Sequence, residues 1–356
     1  MARSEGPVVR GAAVDHALGT RWTERLTFAR SHDLETTLTQ YIARRLILNV
    51  VVLWVVASLV FFSTSLLPGD FAQRTVATNL ELADYSEALK EARRLLGLDK
   101  PVWERYATFI TNTAMLDLGT SYDSRRTTWV ELGRHLPPTL ELGALITLVA
   151  FSVSIPVGVL SAVKQNTWVD YVLRTFAILG VATPVFFLAI LMTLIVLKFD
   201  LFRIDIVGSP HLWDDPAGAL KLYSIPAIAG GISGGAGIMR ILRSQMLEVM
   251  RNDYIRTARA KGLNDRTVWV RHAMKNAMLP VLTVMGFTIA GIVSGQIILE
   301  NMFNIDGVGR YLFTRLLIRD FPPFQGIVLV IAAVIVTTNL LVDIAYAWLD
   351  PRIRYT

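Results

Sequence analysis

The sequence of 356 residues contains no cysteine, which excludes a disulfide framework, a thiolate metal site and a cysteine nucleophile. Its five histidines, His16, His32, His135, His211 and His272, all fall outside the long apolar runs, so no histidine site is expected within an apolar segment. A G-x-x-x-x-G-K-[ST] loop is missing, as is any Gly-Lys dipeptide, and with them nucleotide binding of the P-loop kind. There is no internal repeat and no low-complexity tract, which disfavours carriers built from paired halves. No cleavable secretory signal is evident either: the first apolar block begins near Leu46, behind an Arg-bearing polar tail, and is longer than a signal core. It is expected to remain as an anchor.

What the chain has in excess is apolar residues, 53% of the total, with a mean hydropathy of +0.46. They are gathered into blocks. A hydrocarbon layer of roughly 30 Å needs about 20 apolar helical residues, and six stretches qualify. The first is about Arg45–Leu67, within a segment 41–68 that Pro68-Gly69-Asp70 closes; the others are about Pro138–Val163, Arg174–Leu197, Ser224–Met246, Met278–Met302 and Gly326–Leu349. The expected fold is therefore an all-α integral membrane protein with six transmembrane helices. A polar tail, 1–40, with a short helix around Trp22–Phe28, precedes them. A small external helical cap, 69–136, follows the first span, with helices at about Leu82–Leu96, ended by Gly97, and from Pro101. A core, 137–350, holds a polar loop at 247–277, and 351–356 form the end.

The net charge of +6 comes from loop bias rather than from a nucleic-acid surface. Arg44, Arg45, Arg352, Arg354, the turn 164–174 and above all the loop 240–275 outnumber Lys198, Arg203, Lys221, Arg310, Arg315 and Arg319 on the other side. Both termini are expected in the cytoplasm.

That basic loop reads as helix, turn, helix. Good helix formers end at Gly262, the one residue there that adopts a left-handed backbone cheaply, and Asn264 or Asp265 caps a second helix toward Leu279. On charge alone it is a basic loop obeying the orientation rule. The stretch from Tyr254 to Leu263, followed by Arg271-His-Ala-Met-Lys-Asn-Ala and Leu279-Pro280, resembles the EAA loop of ABC-importer permeases, and in particular the dipeptide and oligopeptide branch, which nickel systems share. Pro68-Gly69-Asp70, Leu96–Pro101, Leu118–Ser121, Pro137–Leu140, Arg319–Pro322 and Leu349–Arg352 resemble further landmarks of that family. Arg256 and Thr257 stand where the general pattern has glutamate and alanine, the interval from Gly262 to Leu279 is longer than in the generic motif, and the tail has no counterpart.

The resemblance implies a type I importer permease in a bacterial or archaeal inner membrane. It would act with a second permease, ATP-binding cassette ATPase subunits that hold ATP and Mg, an external binding protein and a peptide substrate. This chain itself would be neither an enzyme nor the holder of a cofactor or metal. Tyr254, Arg256, Ala258, Arg259, Ala260 and Gly262 would transmit ATPase motion, the alanines allowing close docking and the arginines meeting acidic groups. Import of nickel complexes or another small solute is the alternative, and an ATP-independent channel or secondary transporter is the reading from a different class.

The spans carry further polar and glycine-rich features. Asp343, inside the last span, is expected to pair with Arg240 or Arg243, since a buried carboxylate in a membrane needs protein or water around it; Glu300, near the end of the fifth, is expected to be hydrated. Gly230, Gly231, Gly234, Gly235 and Gly237 read as close helix packing, with a hinge at Gly234 as the sharper alternative. Gly231-Ile232-Ser233-Gly234 matches the G-x-S-G of rhomboid-like proteases, but no span holds the histidine base that such a serine needs.

Overall fold

The computed structural model describes residues 43–79, 85–203, 208, 210–293 and 296–349; of 78–79, 279, 287–293 and 341–349 it describes the backbone. The expected tail, its Trp22–Phe28 helix and the terminus 351–356 lie outside these residues. The main compact unit is Leu53–Tyr346.

Among the described residues the fold is helical, with no strand and one isolated bridge, Thr120–Thr127. Helix α1 (43–66) stops where Pro68 removes a donor and Gly69 turns left-handed at φ +83°. Asp70 then caps α2 (Phe71–Asn79), accepting from Gln73 N at 2.8 Å, and takes Arg93 Nε of α3 (Tyr85–Leu95) on its other oxygen at 2.8 Å. Helix α3 ends as the sequence predicts: Gly97, at φ +65°, donates to Arg94 O while Leu98 N donates to Arg93 O. Helix α4 (Val102–Ala114) lies along α1, with Phe61 stacked on Phe109, Phe62 on Tyr106, and Ser58 bonded to the Tyr106 hydroxyl at 2.8 Å. The expected cap is thus seamed to the first span by aromatic faces.

Helix α5 runs from Thr128 to Val163, so it begins well before the expected start at Pro138. The reason is local. Pro137 and Pro138 withhold donors from the carbonyls of Gly133 and Arg134, but both of those residues are exposed, and water can serve in place of the helix.

The third expected span is broken. Helix α6 (Trp168–Ala182) and α7 (Val185–Lys198) meet at 110°. Pro184 lacks an N–H, and Thr183 before it takes the extended backbone that a following proline favours.

Helix α8 (Pro216–Val249) is the central rod, capped by Asp215, which accepts from Gly218 N at 3.0 Å. It packs on α5 through glycines, as the spacing foretells, though not through all of them. A Cβ on Gly231 would meet Val149 at 2.5 Å, and one on Gly235 would meet the backbone oxygen of Ala150 at 3.0 Å. Around Gly234 and Gly237, by contrast, there is open space. Gly158 of α5 returns the contact against Met239 and Leu242, and Gly180 sits α6 on Ala236.

After α8 come α9 (Asp253–Ala260), the single turn α10 (Asp265–Thr267), a π-helical stretch Val268–Ala273, and α11 (Met274–Val293). Of the fifth expected span, Met278–Met302, α11 is described as far as Val293, and Ile297–Met302 is a separate short helix, α12. Helices α13 (Val308–Ile318) and α14 (Phe321–Leu349) complete the order. Among the described residues four stretches, Ala43–Ala77, Thr128–Val163, Pro216–Val249 and Phe321–Leu340, are long and apolar enough to cross a membrane, and five if the bent α6–α7 pair counts as one. Their exposed faces are apolar, with Leu59, Leu148, Phe176 and Leu194 among the outward residues, as in a protein whose solvent is lipid.

Candidate functional site: the loop between α8 and α11

The loop folds as a capped helix on a hydrophobic seat. Helix α9 is closed at its end by Gly262 at φ +79°, whose N–H donates to Arg259 O at 2.9 Å while Leu263 N reaches Ala258 O at 3.4 Å. Asn264 then caps the next turn, its side chain accepting from Thr267 N at 2.8 Å. One face of α9 is built into the protein: Ile255 and Ala258 are buried with Ile238, Leu242, Met246 and Val249 of α8, Ala162 of α5, Val268 and Ala273 of the π-helical stretch, and Ala277 and Val281 of α11. The other face is open. Tyr254, Arg256, Arg259, Ala260 and Gly262 are all exposed.

This splits the residues singled out from the sequence. Ala258 does not present its small side chain to a partner, because the helix period turns it toward the chain's own core beside Ile255. Arg256 and Arg259 face outward, each beside an acid of its own loop, Asp253 at 3.4 Å and Asp265 at 3.5 Å. Such exposed pairs contribute little and exchange readily. The Tyr254 hydroxyl accepts from Asn276 Nδ2 at 2.7 Å and so ties α9 to α11.

The arginines of α8 part company as well. The guanidinium of Arg243 holds Asp170, with Nε at 2.9 Å from Oδ1 and Nη2 at 2.8 Å from Oδ2. A planar fork finds a matching carboxylate at the polar turn next to it. The Asp343 side chain lies outside the described residues, Arg240 is exposed, and Gly234 lines open space.

At the opposite end of α8, polar residues to which the sequence reading gave no shared role form a buried junction. Glu300, expected to be hydrated, is fully buried and accepts from Thr139 Oγ1 at 2.8 Å, Arg310 N at 2.9 Å and Gln296 N at 3.3 Å. Gly307 and Gly309 are what allow it to fit, since a Cβ on Gly307 would strike its carboxyl at 2.5 Å. Beside it His135 lies between Glu131 and Asp306 and stacks on Tyr311, over which Arg315 is placed. The hydrogen bond from His135 holds the Asp306 carboxyl below its ordinary range. Asp320, also fully buried, takes Ser121 Oγ at 2.6 Å, Tyr122 N at 2.9 Å and Arg315 Nη1 at 3.2 Å. Thr139, the partner of Glu300, and Ser121, the partner of Asp320, are each more than a hundred positions away from the acid they bond, and no local pattern marks these pairs. Among the described residues no group of histidines and acids is arranged to hold a metal.

Residues 154–355 match the family of binding-protein-dependent transport system inner membrane components, and residues 38–143 match the N-terminal model of the same membrane component. The chain belongs to this family. The permease is 35% identical over 334 residues to the dipeptide transport system permease protein DppB of Alkalihalophilus pseudofirmus, which covers 88% of this chain and 99% of that protein. DppB of Escherichia coli K12 is 35% identical over 339 residues, 89% of this chain and 99% of the relative. The glutathione transport system permease protein GsiC of Salmonella choleraesuis is 33% identical over 315 residues, 88% of this chain and 99% of the relative. The permease is thus a transport subunit and not an enzyme, and the ATP-independent channel or carrier is set aside. The family match begins at residue 38, behind the polar tail.

Proposed function

We propose that this permease imports di- or oligopeptides as one half of a membrane pair, receiving the solute from an external binding protein and driven by separate ATPase subunits that hold ATP and Mg. The observation that carries the reading is the shape of the loop: a capped helix whose inner face, Ile255 and Ala258, is part of the permease core, and whose outer face offers Tyr254, Arg256, Arg259, Ala260 and Gly262. A surface of this kind converts a push on α9 into movement of α8 and α11. The relatives named for dipeptides and glutathione support a peptide cargo over a nickel complex. On this reading the loop and both termini face the cytoplasm of a bacterial or archaeal cell, where the basic residues are concentrated.

The test is affinity purification of the chain from its native membrane, as wild type and as Gly262→Pro, with identification of what accompanies it, an ATPase assay and dipeptide uptake. The proline removes the Gly262 N–H bond to Arg259 O and cannot adopt φ +79°. An ATPase that accompanies the wild type and is lost or uncoupled in the variant is expected. Wild-type chain purified without any ATP-binding subunit would refute the reading.

A further inference from the structure

Asp170 stands at the beginning of α6, fully buried, and four donors converge on it from three places. Arg243 of α8 contributes two, the Ser161 hydroxyl of α5 contributes one at 2.6 Å, and Asn166 N of the turn between α5 and α6 contributes one at 3.0 Å. Arg243 Nε also lies 3.0 Å from Ser161 Oγ. The turn itself is unusual: Asn166 has a left-handed backbone, φ +60°, and Asp170 is what bonds to its N–H. One carboxylate therefore shapes the turn and is grasped by the helix that leads into the coupling loop.

We infer that Asp170 and Arg243 are positioning residues that lock the α5–α6 turn to the end of α8, so that movement of α9 is delivered to α5 and α6 as well as to α8 and α11. The inference rests on the coupling role proposed for α9. Apolar contacts already join these elements, through Leu242, Met246, Ala162 and Ile255. Such contacts are non-directional and resist separation better than sliding. A bidentate arginine–carboxylate pair fixes both the register and the rotation of the two partners. It is placed where that matters, since Arg243 lies in the last two turns of α8 and Asp170 in the first turn of α6. With the ion pair in place, the inner ends of α5, α6 and α8 move as one piece; without it α8 can turn beneath α5 and the stroke is lost.

The experiment uses the whole importer, reconstituted in lipid with its ATPases and binding protein, with the wild-type chain, Asp170→Asn and Arg243→Lys. Both variants keep size and polarity and remove the two-pronged charge contact. Peptide uptake per ATP hydrolysed is expected to fall about tenfold, with ATPase subunits still bound. A ratio within about twofold of wild type in both assembled variants would overturn the inference. A purely packing role would lower the yield of complex and leave that ratio unchanged. If the variants do not assemble, the unaltered pair decides. The absence of native cysteine allows spin labels at Gln165→Cys and Glu248→Cys, both exposed. Their separation is expected to be the same with and without trapped ATP, and a change of more than about 3 Å would show that the unit is not rigid. Wild type lacking any bound ATPase is a different failure, that of the coupling reading itself.

Discussion

Thr139 Oγ1 donates to Glu300 Oε1 at 2.8 Å and accepts from Val308 N at 2.8 Å, joining α5, α12 and α13 through one hydroxyl. Glu300→Gln places an amide NH2 among donors that need an acceptor. A loss of about 1–3 kcal/mol is expected, read as a lower unfolding midpoint of the purified chain in detergent. An unchanged midpoint would mean that Glu300 is hydrated after all.

The glycines of α8 separate in the same assay. Gly231→Ala drives a methyl into Val149 and should destabilise by about 1–3 kcal/mol. Gly234→Ala meets open space and gains roughly 1 kcal/mol of helix propensity. Should Gly234→Ala prove the more harmful to folding, the packing described here is wrong. If it folds well and transport fails, the open space around Gly234 serves movement or passage.

Asp320 is buried with Arg315 as its ionic partner and Ser121 and Tyr122 as further donors. Asp320→Ala leaves Ser121 and Tyr122 N without their acceptor and Arg315 with Asp123 alone, at 2.6 Å, at a cost of about 1–3 kcal/mol. Proteolysis in membranes should then cut between Leu116 and Arg126 at protease concentrations that leave the wild type whole. Equal resistance would show that the segment is held by other contacts.

Acid should weaken the junction at His135. The folded-state pKa of Asp306 is depressed from 3.8, so its contribution is complete above that value and is lost as pH falls through the lower, folded one. His135, which also lies 3.6 Å from Glu131, and Arg310 face it. Comparing unfolding midpoints of wild type and Asp306→Asn between about pH 6 and pH 3, the difference is expected to shrink toward acid. A difference that grows toward acid would contradict the assignment.

Much of this was legible in the chain. The apolar blocks announced the helices, Gly97 and Gly262 announced their ends, and Asn264 its cap, because each is a rule about neighbours a few residues apart. The break at Thr183–Pro184 was not read there: Arg174–Leu197 was expected as one span, and prolines inside α5 and α8 leave those helices continuous. The buried carboxylates could not be read. Asp170 finds Arg243, and Glu300 finds Thr139, only after the helices have packed, and an acid looks the same in sequence whether it meets water or a guanidinium. Ala258 was misread for a smaller reason: its helical phase, set by Ile255, points inward.

Helix α9 is only eight residues long, and a helix of that length does not persist in water by itself. It persists here because Ile255 and Ala258 are held in the core and Gly262 closes the final turn. The entropy of ordering it is therefore spent during folding, before any encounter. A partner that docks there meets a surface already in shape, and the free energy of that contact remains available to move the helices behind it.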